Sequence, residues 1–490
     1  MNSHASSPAV GRGAPSKIAF TFLPQFSFYP ELLSRYVKYV KLRYRFSMDE
    51  TMFPGYRFFS FQCIKVFFIA FFSLFCPLKL IAGQASFSSQ IQPDEGRFVK
   101  DPVAKMVSVE GIFRLIPRDH LIEGSQVRTE IEFLGSSTTP MFYLHHDIDV
   151  SSLSWDGNKA VWDKRGDQVF IFPPKGWVGK RVSLQWKYQG DPSKIQSGNV
   201  VWDYIGKEGC YFKSAANWYP NLGINMPAMA SMTILAPASW TIVTQGKLVA
   251  SIPSNLETSW TFSTDKPSDG FSLVGGELVG AQADFDGVKV QVLLTREHQS
   301  KLEKYMELLK SILQYYSARF SPFPFSKMIM AEVEGKFPMG YGSQELLVMT
   351  GLEFEKFLAD PGFVAHETAH QWWGNKVMAK FPQSNWLNEG FATFSQMEFV
   401  KYKFGLGAYI DDLTKHRETY LPVVGTPLDL PIKSDEVMRS PAYQAIMYDK
   451  GALVLRGLAN WLGEEVFWKL IDTHLKRNAG RVVTRGFFKP

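Results

Sequence analysis

His366-Glu367-Thr368-Ala369-His370 is followed, after eighteen residues, by Glu389 in the run Trp386-Leu387-Asn388-Glu389-Gly390-Phe391. Histidines at i and i+4 share one face of a helix, close enough for both rings to hold one metal ion. Glu367 then lies beside the open side of that ion without having to bind it. A carboxylate there can take a proton from water at the metal, the arrangement that metal-assisted hydrolysis requires. The chain has nine histidines, so chance gives this pattern in roughly one such sequence in a hundred. An incidental pair of helix histidines is the weaker reading.

Helix signals frame the motif. Asp360-Pro361 reads as N-cap and first helical position, and Gly374-Asn375 as a stop. They predict a helix of about three and a half turns from Phe363 to Trp373, with Ala365, Ala369 and Trp372 as its apolar side. Residues 386–404 read as a second helix ending at Gly405, with Glu389 in its first turn, where the helix dipole favours a carboxylate. Two such helices, packed antiparallel, bring Glu389 opposite His366 and His370. That His₂Glu set leaves a fourth position to water.

At 490 residues the chain has room for two or three domains. Hydrophobic content of 45% and charged content of 20% are ordinary for a soluble globular protein. The net charge of +6 belongs to the amino-terminal segment, because residues 1–85 carry ten Lys/Arg against three Asp/Glu. The rest is close to neutral and has no nucleic-acid footprint. Val66 to Leu78 is a run of thirteen residues, nearly all apolar, bounded by Lys65 and Lys79. It is short of the ~20 residues of a membrane span and right for the core of a signal peptide. Gly83-Gln84-Ala85 supplies small residues for cleavage before Ser86, which predicts export, with Met48 or Met52 as the true start. The other reading keeps residues 58–82 as a single membrane anchor. Cys63 and Cys76 lie in this leader, leaving Cys210 alone in the mature chain as a small buried residue without a disulfide.

From about 104 to 295 the pattern is that of strands. Val127, Thr129, Ile131 and Phe133 alternate with charged residues, as do Val182, Leu184, Trp186 and Tyr188 with polar ones. This predicts an antiparallel β domain over 86–295, a sandwich or saddle. Near 300 the period changes. Ser300 and Glu303 read as a capping box, and Leu302, Met306, Leu309, Leu313 and Tyr316 follow helical spacing. Strand-like residues 327–333, a Gly-rich turn, the strand Leu346–Met349 and helices to about 476 make 296–490 an α+β domain. His145-His146 with Asp147 and Asp149 form another group of ligand types. Read on a β segment, neighbouring residues point to opposite faces, so these two histidines are not expected to share an ion.

The blocks His366 to Asn375, Trp386 to Thr393 and Tyr448-Asp449-Lys450-Gly451-Ala452 resemble the gluzincin aminopeptidase family of the aminopeptidase N kind. The resemblance covers most of the chain after about 100. It implies a multidomain α+β protein, with a β-rich amino-terminal domain packed on a thermolysin-like zinc peptidase domain. It further implies one zinc ion (Zn2+) held by His366, His370 and Glu389. Glu367 would be the general base that activates the zinc-bound water and then the acid that protonates the leaving amine. Tyr448 would be the donor to the oxyanion. The implied partners are peptide substrates, with the membrane involved only through an uncleaved leader.

The family anchors the substrate's free amine with a glutamate in a Gly-x-Met-Glu-Asn segment. The corresponding stretch here is Gly340-Tyr341-Gly342-Ser343-Gln344-Glu345-Leu346, in which Glu345 follows Gly342 at the family's interval but Gln344 and Leu346 depart from the pattern; the resemblance implies that Glu345, with Gly342, binds the substrate amine, the other reading being a solvated edge glutamate. A strand paired one residue out of register would turn Glu345 to the other face. Three readings follow: an aminopeptidase, a zinc peptidase without a free-amine requirement, and an inactive peptide-binding relative. The chain ends forty-two residues after Tyr448, where family members continue, so the catalytic domain is expected to be incomplete at its carboxyl end.

Overall fold

The alternation near residue 130 is realised as two long antiparallel strands, Ala104–Ile116 and Leu121–Phe133, with Val127 and Ile131 buried to one side. They sit inside an eight-stranded sheet that also holds Met229–Pro237 and Arg181–Gly190. The computed structural model describes residues 102–135, 139–196, 200–334, 340–351, 361–382 and 384–484. The leader readings, including the start site, Cys63 and Cys76, lie outside these. Among the described residues no helix is long and apolar enough to cross a membrane. Cys210 is fully buried, as expected of it, and free among the described residues.

Pairing in this sheet is not purely antiparallel. Ala104–Ile116 runs parallel to Met229–Pro237, with Ser108 opposite Met229. A long connection separates the two strands, and only hairpin neighbours are bound to run antiparallel. Smaller sheets of five and three strands complete the β-rich region, whose core includes Trp155, Trp186 and Trp218.

The boundary at 295 is also corrected. Val279–Phe285 and Val288–Leu294 form a hairpin that joins the next sheet, in the order Val279–Phe285, Val288–Leu294, Lys327–Val333, Leu346–Thr350, Gly340–Ser343. Val288–Leu294 pairs parallel with Lys327–Val333, and the crossover between them is helix α1, Leu302–Arg319. Alternation within the hairpin looks the same whichever sheet it enters, so the sequence carries no mark of its partner. The expected capping box at Ser300 does not form. A 3-10 turn, Arg296–Lys301, leads into α1 instead, and no side chain caps the helix.

Every residue of Lys327–Val333 and Leu346–Thr350 is buried, as parallel strands covered on both faces must be. Ile329, Ala331, Val333, Leu346 and Val348 pack on Tyr211, Val243 and Val274 of the β-rich region. Met328, Met330, Leu347 and Met349 face the helices on the other side. These are α2 (Gly362–Ala369), α3 (Trp386–Tyr420), α4 (Gly451–Leu462) and α5 (Glu464–Asn478). Within α3, Gly405 adopts φ 86° and ψ −176°, so the helix breaks where the sequence placed its end and a second arm continues to Tyr420.

Candidate active site

Helix α2 is shorter than its signals predicted. After Ala369 the chain tightens, with the Gln371 and Trp372 N–H groups donating to the carbonyls of Thr368 and Ala369. His370, the C-cap, keeps helical angles, and Gly374 at φ 116° turns the chain. The i, i+4 geometry survives, because both histidines still lie on helical backbone. Val364, Ala365 and Ala369 are buried, and the Tyr316 hydroxyl donates to the Ala365 carbonyl. This fixes the rotation of α2 and leaves His366 and His370 on its other side.

Glu389, in the first turn of α3, meets them there. Its Oε2 is 3.5 Å from Nε2 of His366 and 3.5 Å from Nε2 of His370. The three ligand atoms lie within 4.8 Å of one another. A separation of 3.5 Å is long for a hydrogen bond, but it is close to the edge of a tetrahedron whose centre-to-ligand distance is about 2.1 Å. The His370 Nδ1 faces the Trp373 carbonyl at 3.0 Å, which turns Nε2 toward Glu389. Burial raises a carboxyl, but the charge of His370 and the contacts with His366 bring Glu389 down to about 2. Burial lowers an imidazole, and here the Glu389 charge outweighs it and lifts His370 to about 9. The trio sets an anionic carboxylate beside the two ring nitrogens, and a cation bound there would take the place of the proton that Glu389 holds on His370.

Glu367 faces the same space from the adjacent position on α2. Its carboxyl is raised by burial, against the pull of His370 and His366, and it accepts a hydrogen bond from the Gly342 N–H. A Cβ at Gly342 would lie 2.4 Å from the Glu367 carbonyl oxygen. Only glycine lets the strand Gly340–Ser343 come this close to α2. Tyr448 closes the far side. Its ring lies parallel to His366, 5.8 Å between centroids, and its hydroxyl bonds Glu389. Burial, together with Glu389, pushes the phenol well above its usual range, so it is a neutral donor. Gly390 and Gly451 touch backbone to backbone, a Cβ on either lying about 3 Å from the other's Cα.

Glu345 takes a different position from the one expected. Ser343 pairs with Leu346, so Gln344 and Glu345 are the two central residues of a tight turn, with Glu345 at φ 63°. Its carboxylate accepts from the Gly246 N–H at 2.9 Å and lies 3.9 Å from Lys327 Nζ. Burial raises Glu345 and lowers Lys327 to about 8, so neither charge is well solvated. Through Gly246 these contacts tie the carboxylate to the β-rich region. Gln371 escaped the sequence reading. Its Oε1 accepts from the Glu345 N–H and its Nε2 donates to the Ser343 carbonyl, tying α2 to the turn.

The second ligand group is also placed differently. His145 to Asp147 leave the strand Met141–Tyr143 as a turn, so strand alternation does not separate them. The two imidazoles stack at 4.1 Å, and with Asp147 their ligand atoms lie within 4.8 Å.

A β-rich region thus packs on a mixed sheet, and two histidines of one helix face a glutamate of the next. Residues 302–489 match the Peptidase family M1 domain. Among curated relatives, aminopeptidase 2 of Candida albicans is 36% identical over 121 residues, 24% of this chain and 13% of that protein. Endoplasmic reticulum aminopeptidase 1 of Homo sapiens is 29% identical over 402 residues, 72% of this chain and 41% of that protein. The chain thus spans less than half the length of these relatives. The M1 zinc metallopeptidase from Deinococcus radiodurans superposes with a TM-score of 0.64 at 18% identity, over 78% of this chain and 89% of that one. Legionella pneumophila aminopeptidase A gives 0.65 at 18%, over 80% and 47%. These two likenesses establish the fold.

Proposed function

We propose that the protein is a zinc-dependent peptidase that releases residues from the amino termini of peptides. The observation that carries this reading is the convergence of His366, His370 and Glu389 at tetrahedral spacing, with Glu367 buried beside them. The donor set suits one zinc ion, two imidazoles and a carboxylate being a catalytic set that keeps one position open. When bound, zinc lowers the pKa of water and polarises the substrate carbonyl. Glu367 takes one proton from the attacking water as its oxygen bonds to the peptide carbon. It then returns that proton to the departing nitrogen as the C–N bond breaks. The Tyr448 phenol donates to the oxyanion that develops on the carbonyl. Relatives named as aminopeptidases support the exopeptidase reading.

The position of Glu345 favours a second reading, a zinc peptidase that does not require a free amine. Free and acetylated forms of one peptide separate the two: equal rates on both would exclude the aminopeptidase. Metal analysis with a panel of fluorogenic amino-acid amides tests the reading as a whole, and zinc-loaded protein without turnover would sink it. The apolar run Val66 to Leu78 supports export after cleavage before Ser86, which sequencing the amino terminus of the exported chain would check.

A further inference from the structure

Tyr448 does not sit on an ordinary helix. Ala445–Lys450 is a π-helical turn, a wide and locally weak conformation, leading into α4. Of the two residues after Tyr448, Asp449 is gripped by the arm of α3 beyond Gly405, and Lys450 by the segment that follows that arm. Asp449, 2% exposed, has its Oδ1 at 2.6 Å from His416 Nδ1. Its other oxygen is buried without a hydrogen bond among the described residues, so His416 supplies the bond that holds the carboxylate. Lys450 Nζ donates to Asp429 at 2.6 Å and to the Leu430 carbonyl at 3.0 Å. Tyr420 donates to the same Asp429 oxygen at 2.9 Å. Asp412, His416 and Tyr420 follow each other at intervals of four, one stripe of the second arm. The break at Gly405 turns that stripe onto the π-turn; a straight helix of 35 residues would run about 52 Å and carry His416 elsewhere.

We infer that the second arm of α3 is a brace for the π-turn, and that His416 and Asp429 are positioning residues that hold the Tyr448 phenol against Glu389 and His366. The inference rests on the proposed role of Tyr448 and deepens it. It asks for no further chemistry, because an oxyanion donor displaced by about 1 Å already loses much of its effect.

A double-mutant cycle tests it on the zinc-loaded full chain, with hydrogen exchange as a second readout. His416→Ala should lower kcat roughly tenfold, with KM within about twofold and zinc content unchanged. Added to Tyr448→Phe it should cost nothing more, because the brace acts through that phenol. His416→Asn, which keeps a donor, should restore most of the rate, and Asp429→Ala, with the same expected loss, takes the place of the alanine variant if that fails to fold. Amides of residues 445–452 should exchange at least about fivefold faster in His416→Ala than in the parent or in His416→Asn. An unchanged kcat, or an equal loss in the Tyr448→Phe background, would overturn the inference, and so would unchanged exchange. If the parent turns over no peptide, the functional reading fails while the exchange measurement still decides the brace.

Discussion

Two groups in this molecule each bring two histidines and a carboxylate within 4.8 Å, yet they are built differently. In the first, His366 and His370 are spaced by a helix, Glu389 arrives from another, and all three are largely buried. In the second, adjacent histidines stack at a turn, and the side chains of His146 and Asp147 are 55% and 63% exposed. There His146 already has Asp167 at 2.8 Å on Nδ1 and Asp147 at 3.3 Å on Nε2, while His145 accepts from the Asp147 N–H. An ion would have to break those contacts and compete with water at an exposed place. The Lys164 ammonium, bonded to the His146 carbonyl at 2.8 Å, adds positive charge beside it. Nearness of ligand types does not make a metal centre. Ligands with spare valence, held apart at the ion's own spacing and shielded from water, do.

The sharpest way to break this contrast is to remove the base that only the first group has. Glu367→Gln should cut kcat by ~10³ or more and keep zinc, measured by turnover beside metal analysis. Asp167→Asn, beside the second group, should leave both unchanged. Next, His370→Ala should lose the bound zinc, while His146→Ala should retain one equivalent after dialysis. Two equivalents in the parent, falling to one in His146→Ala, would make the second group a metal site after all. Tyr448→Phe should lower kcat by roughly 10² with zinc retained, since it removes only the oxyanion donor. Glu345→Gln should change KM for an amino-acid amide by less than about threefold, whereas an amine anchor would lose far more.

The smallest effect concerns burial of charge. Lys327 is lowered to about 8 by burial, from an unfolded value near 10.5. The unfolded chain then binds more protons between those values, so folding stability rises as pH goes from about 8 to 10.5 and is lost as pH falls through 8. Unfolding free energies of the parent minus those of Lys327→Met should rise across that window, by at most about 3 kcal/mol. A flat difference would show that Lys327 is better solvated than its surroundings suggest.

How far the sequence could be read depended on the range of the interaction. His366 and His370 are four residues apart on one helix, so their shared face follows from helix geometry alone, even though α2 ends earlier than its stop signal implied. The break at Gly405 was legible for the same reason. Glu345 was not, because its orientation depends on a tight turn and on Gly246, ninety-nine residues away. The hairpin Val279–Leu294 was legible as strands but not as a part of the second sheet. His145 and His146 were misread through one wrong local assumption, a strand where the chain turns. His416 gave a faint signal, the stripe at 412, 416 and 420, but its partner Asp449 is specified only by the fold.

The order of residues alone determined that two rings and a neighbouring acid share one helical face, and that a β-rich stretch precedes a helical one. Spacing along a regular helix or strand turns directly into direction in space. Only the tertiary structure decided that Glu389 completes the trio, that Glu345 turns to Lys327, and that a bent helix grips the turn carrying Tyr448. Those contacts join residues far apart in the chain, and they exist because buried polar groups must find partners wherever packing brings them.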